Sequence, residues 1–223
     1  MAELFKNYLY EPFLNLLIFL YNNLTFHDLG LAIIFLTILV RIVLFPIFYK
    51  GARDQALMTR LQPHVKKIQT DHKDDKEKQA KALMDLYKEH RLNPFSGFVL
   101  LLLQLPVFIV LFQIFTRELS NTVFVSHVFL GIIDLTVKSF PIAIVAALLQ
   151  YFQGKLALPQ TSPSTSGSPV AQTGKLMVFL GPIITIVILA GLPAALGLYW
   201  SVSNLFSVGQ QIYINKKMPK LDK

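Results

Sequence analysis

Residues 29–49, LGLAIIFLTILVRIVLFPIFY, form an apolar run of membrane-spanning length that carries a single arginine, Arg41. About twenty helical residues rising 1.5 Å each cross a hydrocarbon core of roughly 30 Å. The run is therefore expected to span, with Arg41 inside it. Lys50 marks its expected end, and nine residues of helix put Arg41 roughly 13 Å within that boundary, further than an arginine easily reaches by snorkelling. A guanidinium at such depth costs about 2.5 to 3.5 kcal/mol on insertion scales. Something else in the chain must offset that cost.

Of the 223 residues, 53% are hydrophobic and only 15% charged, and the mean hydropathy is +0.51. A soluble domain would carry a charged fraction nearer a quarter. The chain reads as an all-α, multi-spanning membrane protein. It contains no cysteine, which excludes disulfides, thiolate metal sites and a lipid-modified N-terminal cysteine. His27, His64, His72, His90 and His127 include no pair at ligand spacing on one helix face, so each reads as a loop or interface residue and no metal or cofactor is expected.

Residues 3–21 hold Glu3, Lys6, Glu11 and an interrupting Pro12. They are expected to form an amphipathic helix lying in the membrane interface. An uncleaved signal anchor or an extra span are the competing readings, against which stand the missing basic cluster before the apolar part and the missing small-residue cleavage site after it. Residues 50–93 hold eleven of the twenty-one Lys and Arg and seven of the thirteen acids. Two apolar rows of helical period, Leu57, Leu61, Val65, Ile68 and then Ala80, Leu83, Met84, Tyr87, predict a hairpin of amphipathic helices. Asp74 with Glu77 three residues on resembles a capping box that would start the second helix.

Further spans are expected over 95–115, 138–153, 176–190 and 194–214, with a short helix around 123–133 in the outer connection. Residues 156–174, rich in Ser, Thr, Pro and Gly, read as a flexible loop. Gly191, Leu192 and Pro193 leave room only for a tight turn between the last two spans. In the final span Trp200, Asn204, Ser207 and Gln211 fall at i, i+4, i+7 and i+11, a polar stripe that would either line a cavity or bond helices together. Gln104 and Gln113 lie half a turn out of phase, so only one can face a cavity, and Gln104 beside Pro106 is the interior candidate.

Five crossings put the termini on opposite sides. If residues 50–93, the loop 156–174 with its flanking Lys155 and Lys175, and the C-terminal tail share one side, that side holds seventeen of the twenty-one Lys and Arg, against Lys6, Arg117 and Lys138 on the other. The positive-inside rule then places the hairpin and C-terminus in the cytoplasm and the N-terminus outside. The spans hold no Asp or Glu, and the chain has no HExxH, no Gly-rich phosphate loop and no Ser and His pairing, so an enzyme is not expected. Arg41 has no acidic residue at its own depth. Thr37, four residues earlier on the same face, the polar stripe, Gln104 and Gln150 would complete a wet, positively charged groove whose natural guest is an acidic or polar peptide segment.

The order TILVRIVLFPI, then LQPHVKKIQTDHKDDKEKQAKALMDLYKEHRLNPF, then GFVLLLLQLPVFIVLFQIF, and finally LPAALGLYWSVSNLFSVGQQIYI, resembles the YidC-type membrane protein insertases. The resemblance covers nearly the whole chain. It implies five core spans around a hydrophilic groove that opens to the cytoplasm and lipid, with a cytoplasmic helical hairpin, in a bacterial inner membrane. It implies insertion of newly made membrane proteins, alone or beside the Sec translocon, with the ribosome as a further partner and no specific nucleic acid bound. Its groove positions correspond to Thr37, Arg41 and Trp200, and less directly to Gln104 and Gln150. A short form is expected, without the extra first span and large periplasmic domain of many Gram-negative members. The alternative from another class is a small anion transporter or channel using Arg41, against which stands the lack of an inverted repeat.

Overall fold

A computed structural model describes residues 2–119, 124–157 and 169–217. The chain begins with α1 (Ala2–Phe5), a π-helical turn (Lys6–Tyr10) and α2 (Glu11–Asn23). The backbone stays helical through both junctions, and the Glu11 N–H bonds to the Lys6 carbonyl. Pro12 lacks an N–H to give to the ladder, and a π turn just before it is one way a helix absorbs such a defect. Leu17, Leu20 and Tyr21 of α2 are buried in the main core. Tyr10 Oη donates to Glu118 Oε1 at 2.5 Å, tying this segment to a residue 108 positions away. Burial and the neighbouring carboxylate push the Tyr10 phenol up to about 12.

The run expected as one span is two helices, α3 (Leu29–Val43) and α4 (Phe45–Arg60), bent by 70°. Pro46 stands in the first turn of α4, where its missing N–H costs least and its ring opposes continuation of the preceding helix. The depth counted along a straight helix is thereby corrected: Arg41 sits in the last turn of α3, and the chain turns away after Leu44. The hairpin continues through α5 (Gln62–Asp71) and α6 (Lys76–Glu89). The N-cap of α6 is Asp75, one residue later than expected. Its Oδ1 accepts from the Lys78 N–H at 3.0 Å, so no capping box with Glu77 forms.

Next come α7 (Ser96–Arg117), β1 (Val128–Phe129), β2 (Ile133–Asp134), α8 (Phe140–Ala157), α9 (Pro169–Leu189) and α10 (Ala194–Lys217). The helix expected around 123–133 is instead an antiparallel β-hairpin, turned by Leu130 and Gly131 at φ of 51° and 70°. The expected loop of 156–174 is helical at its two ends, and residues 158–168 lie outside the described residues, as do Lys220 and Lys223 of the tail. Among the described residues, α8 alone is long and apolar enough to cross a membrane, α3 and α4 pass together, and Leu102–Arg117 and Val178–Leu189 are shorter apolar stretches.

One end of the assembly is closed by backbone and carboxylate bonds. Asp28 Oδ1 caps α3 through the Leu31 N–H at 2.9 Å, and its Oδ2 takes the Leu130 N–H at 2.7 Å. Gly30 lets Phe129 lie directly on α3, for a Cβ there would stand 2.1 Å from the Phe129 ring. The Val137 and Leu135 carbonyls accept from the Ala194 and Ala195 N–H groups at 2.8 and 3.1 Å. These are first-turn donors of α10 that have no partner within the helix. Beyond this closure, α10 packs against α8 and α3, and α8 against α9.

Candidate functional site

A cavity of about 330 Å³ opens between α3, α4, α7, α8 and α10, with Arg41 in its wall. Arg41 is only 8% exposed. Its Nε donates to Ser203 Oγ at 3.0 Å, its Nη2 bonds the same hydroxyl, and its guanidinium lies 4.6 Å from the centre of the Phe48 ring. No carboxylate ion-pairs with it among the described residues. A serine oxygen and an aromatic face partly compensate a buried cation without neutralising it.

Of the expected site residues, Arg41, Gln104, Gln150, Trp200, Asn204, Ser207 and Gln211 line this cavity together. Thr37 does not. It is buried and donates to the Ile33 carbonyl of its own helix at 2.7 Å, a bond any threonine in a helix interior can make. The other polar groups are anchored from behind. Gln104 Nε2 donates to Tyr199 Oη at 2.5 Å, and Asn204 Nδ2 to the Ala146 carbonyl at 3.2 Å. Ser207 Oγ donates to the Ser203 carbonyl at 3.0 Å, and Gln211 Nε2 to Asn215 Oδ1 at 3.1 Å. Gln150 Oε1 accepts from Trp200 Nε1 at 3.3 Å and from Thr185 Oγ1. Gln113 stays out of the lining, in keeping with its phase.

Sequence reasoning missed Ser203, Tyr199, Gln55, Gln153 and Gln210, which also line the cavity. Ser203 and Tyr199 carried a usable signal, because i+3 neighbours of Trp200 and one-residue neighbours widen a helical stripe. Gln55 carried none, since only the bend at Leu44 swings α4 beneath the opening. Gln210 also borders a second cavity of about 350 Å³, faced by Phe45, Phe206, Gly209 and Tyr213.

The base of the hairpin belongs to the same structure. Gly51 lets Leu100 approach α4, where a Cβ would lie 2.6 Å from its Cγ. Asp54, only 1% exposed, accepts from Ser96 Oγ at 2.6 Å and from the Asn93 N–H at 3.4 Å. Leu57 and Leu61 form a second small core with Leu92.

In sequence, the family described as 60Kd inner membrane protein matches residues 19–221 of this chain. The chain belongs to that family. Curated relatives carry the name Membrane protein insertase YidC. That of Geotalea daltonii is 33% identical over 213 residues, covering 94% of this chain and 37% of the relative. That of Francisella tularensis subsp. novicida is 35% identical over 191 residues, covering 84% of this chain and 32% of the relative. The chain thus spans about a third of the length of these family members. Family and relatives together point to a bacterial inner membrane protein.

Proposed function

We propose that this chain is the working core of a membrane protein insertase, moving newly made membrane proteins from the cytoplasm into the bilayer through a hydrated, positively charged groove. The observation that carries this reading is Arg41, a buried cation without a carboxylate partner among the described residues, in the wall of a cavity lined by six glutamines. A charge so placed is one Coulomb partner short. At about 4 Å and an effective dielectric of about 20, an acidic client flank would gain about 4 kcal/mol from it, against about 1 in water.

In this reading α3, α7, α8, α9 and α10 are the five spans, the N-terminal helix rests in the interface, and α4 to α6 form the cytoplasmic hairpin. The lysine and arginine count favours a cytoplasmic hairpin and C-terminus with the N-terminus outside. The bonds of Asp28 and of Leu135 and Val137 support closure at the outer end. The hairpin catches a client or its ribosome. The groove keeps the client's polar flank hydrated part-way across, and the apolar segment leaves sideways into lipid, alone or beside the Sec translocon. No step calls for a nucleotide.

Reconstitution of the purified chain into protein-free liposomes with a short single-spanning client tests this. Protease-protected client is expected without any other component. Its absence, with measurable anion flux through the same liposomes, would instead establish the small-anion transporter.

A further inference from the structure

Thr185 does not line the cavity, yet it ends a chain of contacts that crosses four helices. It lies on α9, is 4% exposed, and donates through Oγ1 to Gln150 Oε1 on α8. The same oxygen accepts the Trp200 indole N–H from α10 at 3.3 Å. The Trp200 ring in turn stands edge-on to Phe108 of α7, with ring centres 5.4 Å apart. One helical turn before Thr185, Gly181 leaves room for the Gln150 amide: a Cβ there would lie 3.0 Å from Nε2. Among the described residues α7 and α9 share no extended packing of their own, so this chain links them across the groove.

We propose that Thr185 is a positioning residue: it holds the Gln150 carbonyl where Trp200 can donate to it, and so fixes the indole against Phe108 and the width of the groove above Arg41. A glutamine side chain has three freely rotating bonds, and a single bond from Trp200 does not determine its place. The hydroxyl of Thr185 supplies the second constraint, and Gly181 the space. A client segment then meets an indole whose donor is already occupied and whose face is fixed, which makes the passage shape-selective for a thin, extended flank. This rests on the insertase reading, but the tie itself does not.

The chain has one tryptophan, so intrinsic emission reports Trp200 alone. Thr185→Val keeps the shape and removes the donor, and Thr185→Ser keeps the donor. In purified protein held in lipid nanodiscs, Thr185→Val is expected to shift Trp200 emission to longer wavelength and to change the ratio of tied to untied indole about fivefold, read by acrylamide quenching, while Thr185→Ser stays as the unmodified protein. In the liposome assay Thr185→Val is expected to lose several-fold in insertion and Thr185→Ser to recover it. Emission and quenching unchanged in a folded Thr185→Val, equal changes in both variants, or a shifted spectrum with full insertion would overturn the proposal. An unmodified chain that inserts nothing would sink the insertase reading, while a shifted Thr185→Val spectrum would still uphold the tie.

Discussion

Asp54 and Ser96 are 42 residues apart in sequence, yet the carboxylate of one accepts the hydroxyl of the other at 2.6 Å in a buried site at the neck of the hairpin. The bond joins the outgoing and returning arms, so α4 behaves as part of the bundle and only α5 and α6 extend from it. Removing the carboxylate leaves Ser96 and the Asn93 N–H without their partner. Asp54→Ala should lower stability by about 1.5 to 3 kcal/mol, the range for a hydrogen bond to a charged group, and should expose the α4 to α5 segment to proteolysis. An unchanged melting temperature and cleavage pattern would show that α4 is held by its apolar contacts instead.

The same division predicts what the hairpin tip can lose. No residue of α6 is fully buried, and Asp75 caps it in an exposed turn. Replacing residues 74–88 with a short Gly/Ser linker should leave a folded, membrane-embedded protein that inserts clients poorly. Insertion at full rate would remove client capture from the roles of the tip.

At the opposite end, Gly30 and Phe129 are a matched pair. Gly30→Ala places a methyl group 2.1 Å from the Phe129 ring, so the β-hairpin must lift from α3. A loss of about 1 to 3 kcal/mol is expected, the usual cost of overpacking. Adding Phe129→Ala should recover part of it. Additive losses in the thermal unfolding of the double variant would show that the two positions are not in contact.

Orientation is open to labelling because the chain has no cysteine. Asp74 is exposed beside the capping Asp75, and Ile132 is 82% exposed in the turn of the β-hairpin. In intact cells a membrane-impermeant thiol reagent should label Ile132→Cys and miss Asp74→Cys. The reverse pattern would invert the proposed topology.

Arg41 separates charge from shape. Both of its bonded nitrogens converge on Ser203 Oγ, a fork that lysine cannot reproduce. Arg41→Lys should keep much of the insertion activity, and Arg41→Ala should harm clients with acidic flanks most. Neutralising those client acids should reduce the penalty, which an insertion assay reads as a double-mutant cycle. Equal losses for both clients would assign Arg41 to the fold or to hydration of the groove.

Helical content, the charged segment between apolar ones and part of the polar cavity lining were legible in the sequence, because helical period places Trp200, Asn204, Ser207 and Gln211 on one face whatever packs against it. Local chemistry decided those. The bend at Leu44 was signalled by Pro46, but its 70° angle, and the delivery of Phe48 and Gln55 to the cavity, depend on α4 docking against α7 through Gly51 and Asp54. Thr37 shows the opposite case: its phase is right, yet its hydroxyl turns to its own helix because Ile33 offers a carbonyl at 2.7 Å. The β-hairpin of residues 128–134 stands where a helix was expected, and it docks on Asp28 and Gly30, a hundred residues earlier. Periodicity records which residues share a face. Which faces meet, and which donors find acceptors across helices, is settled only when the chain is packed.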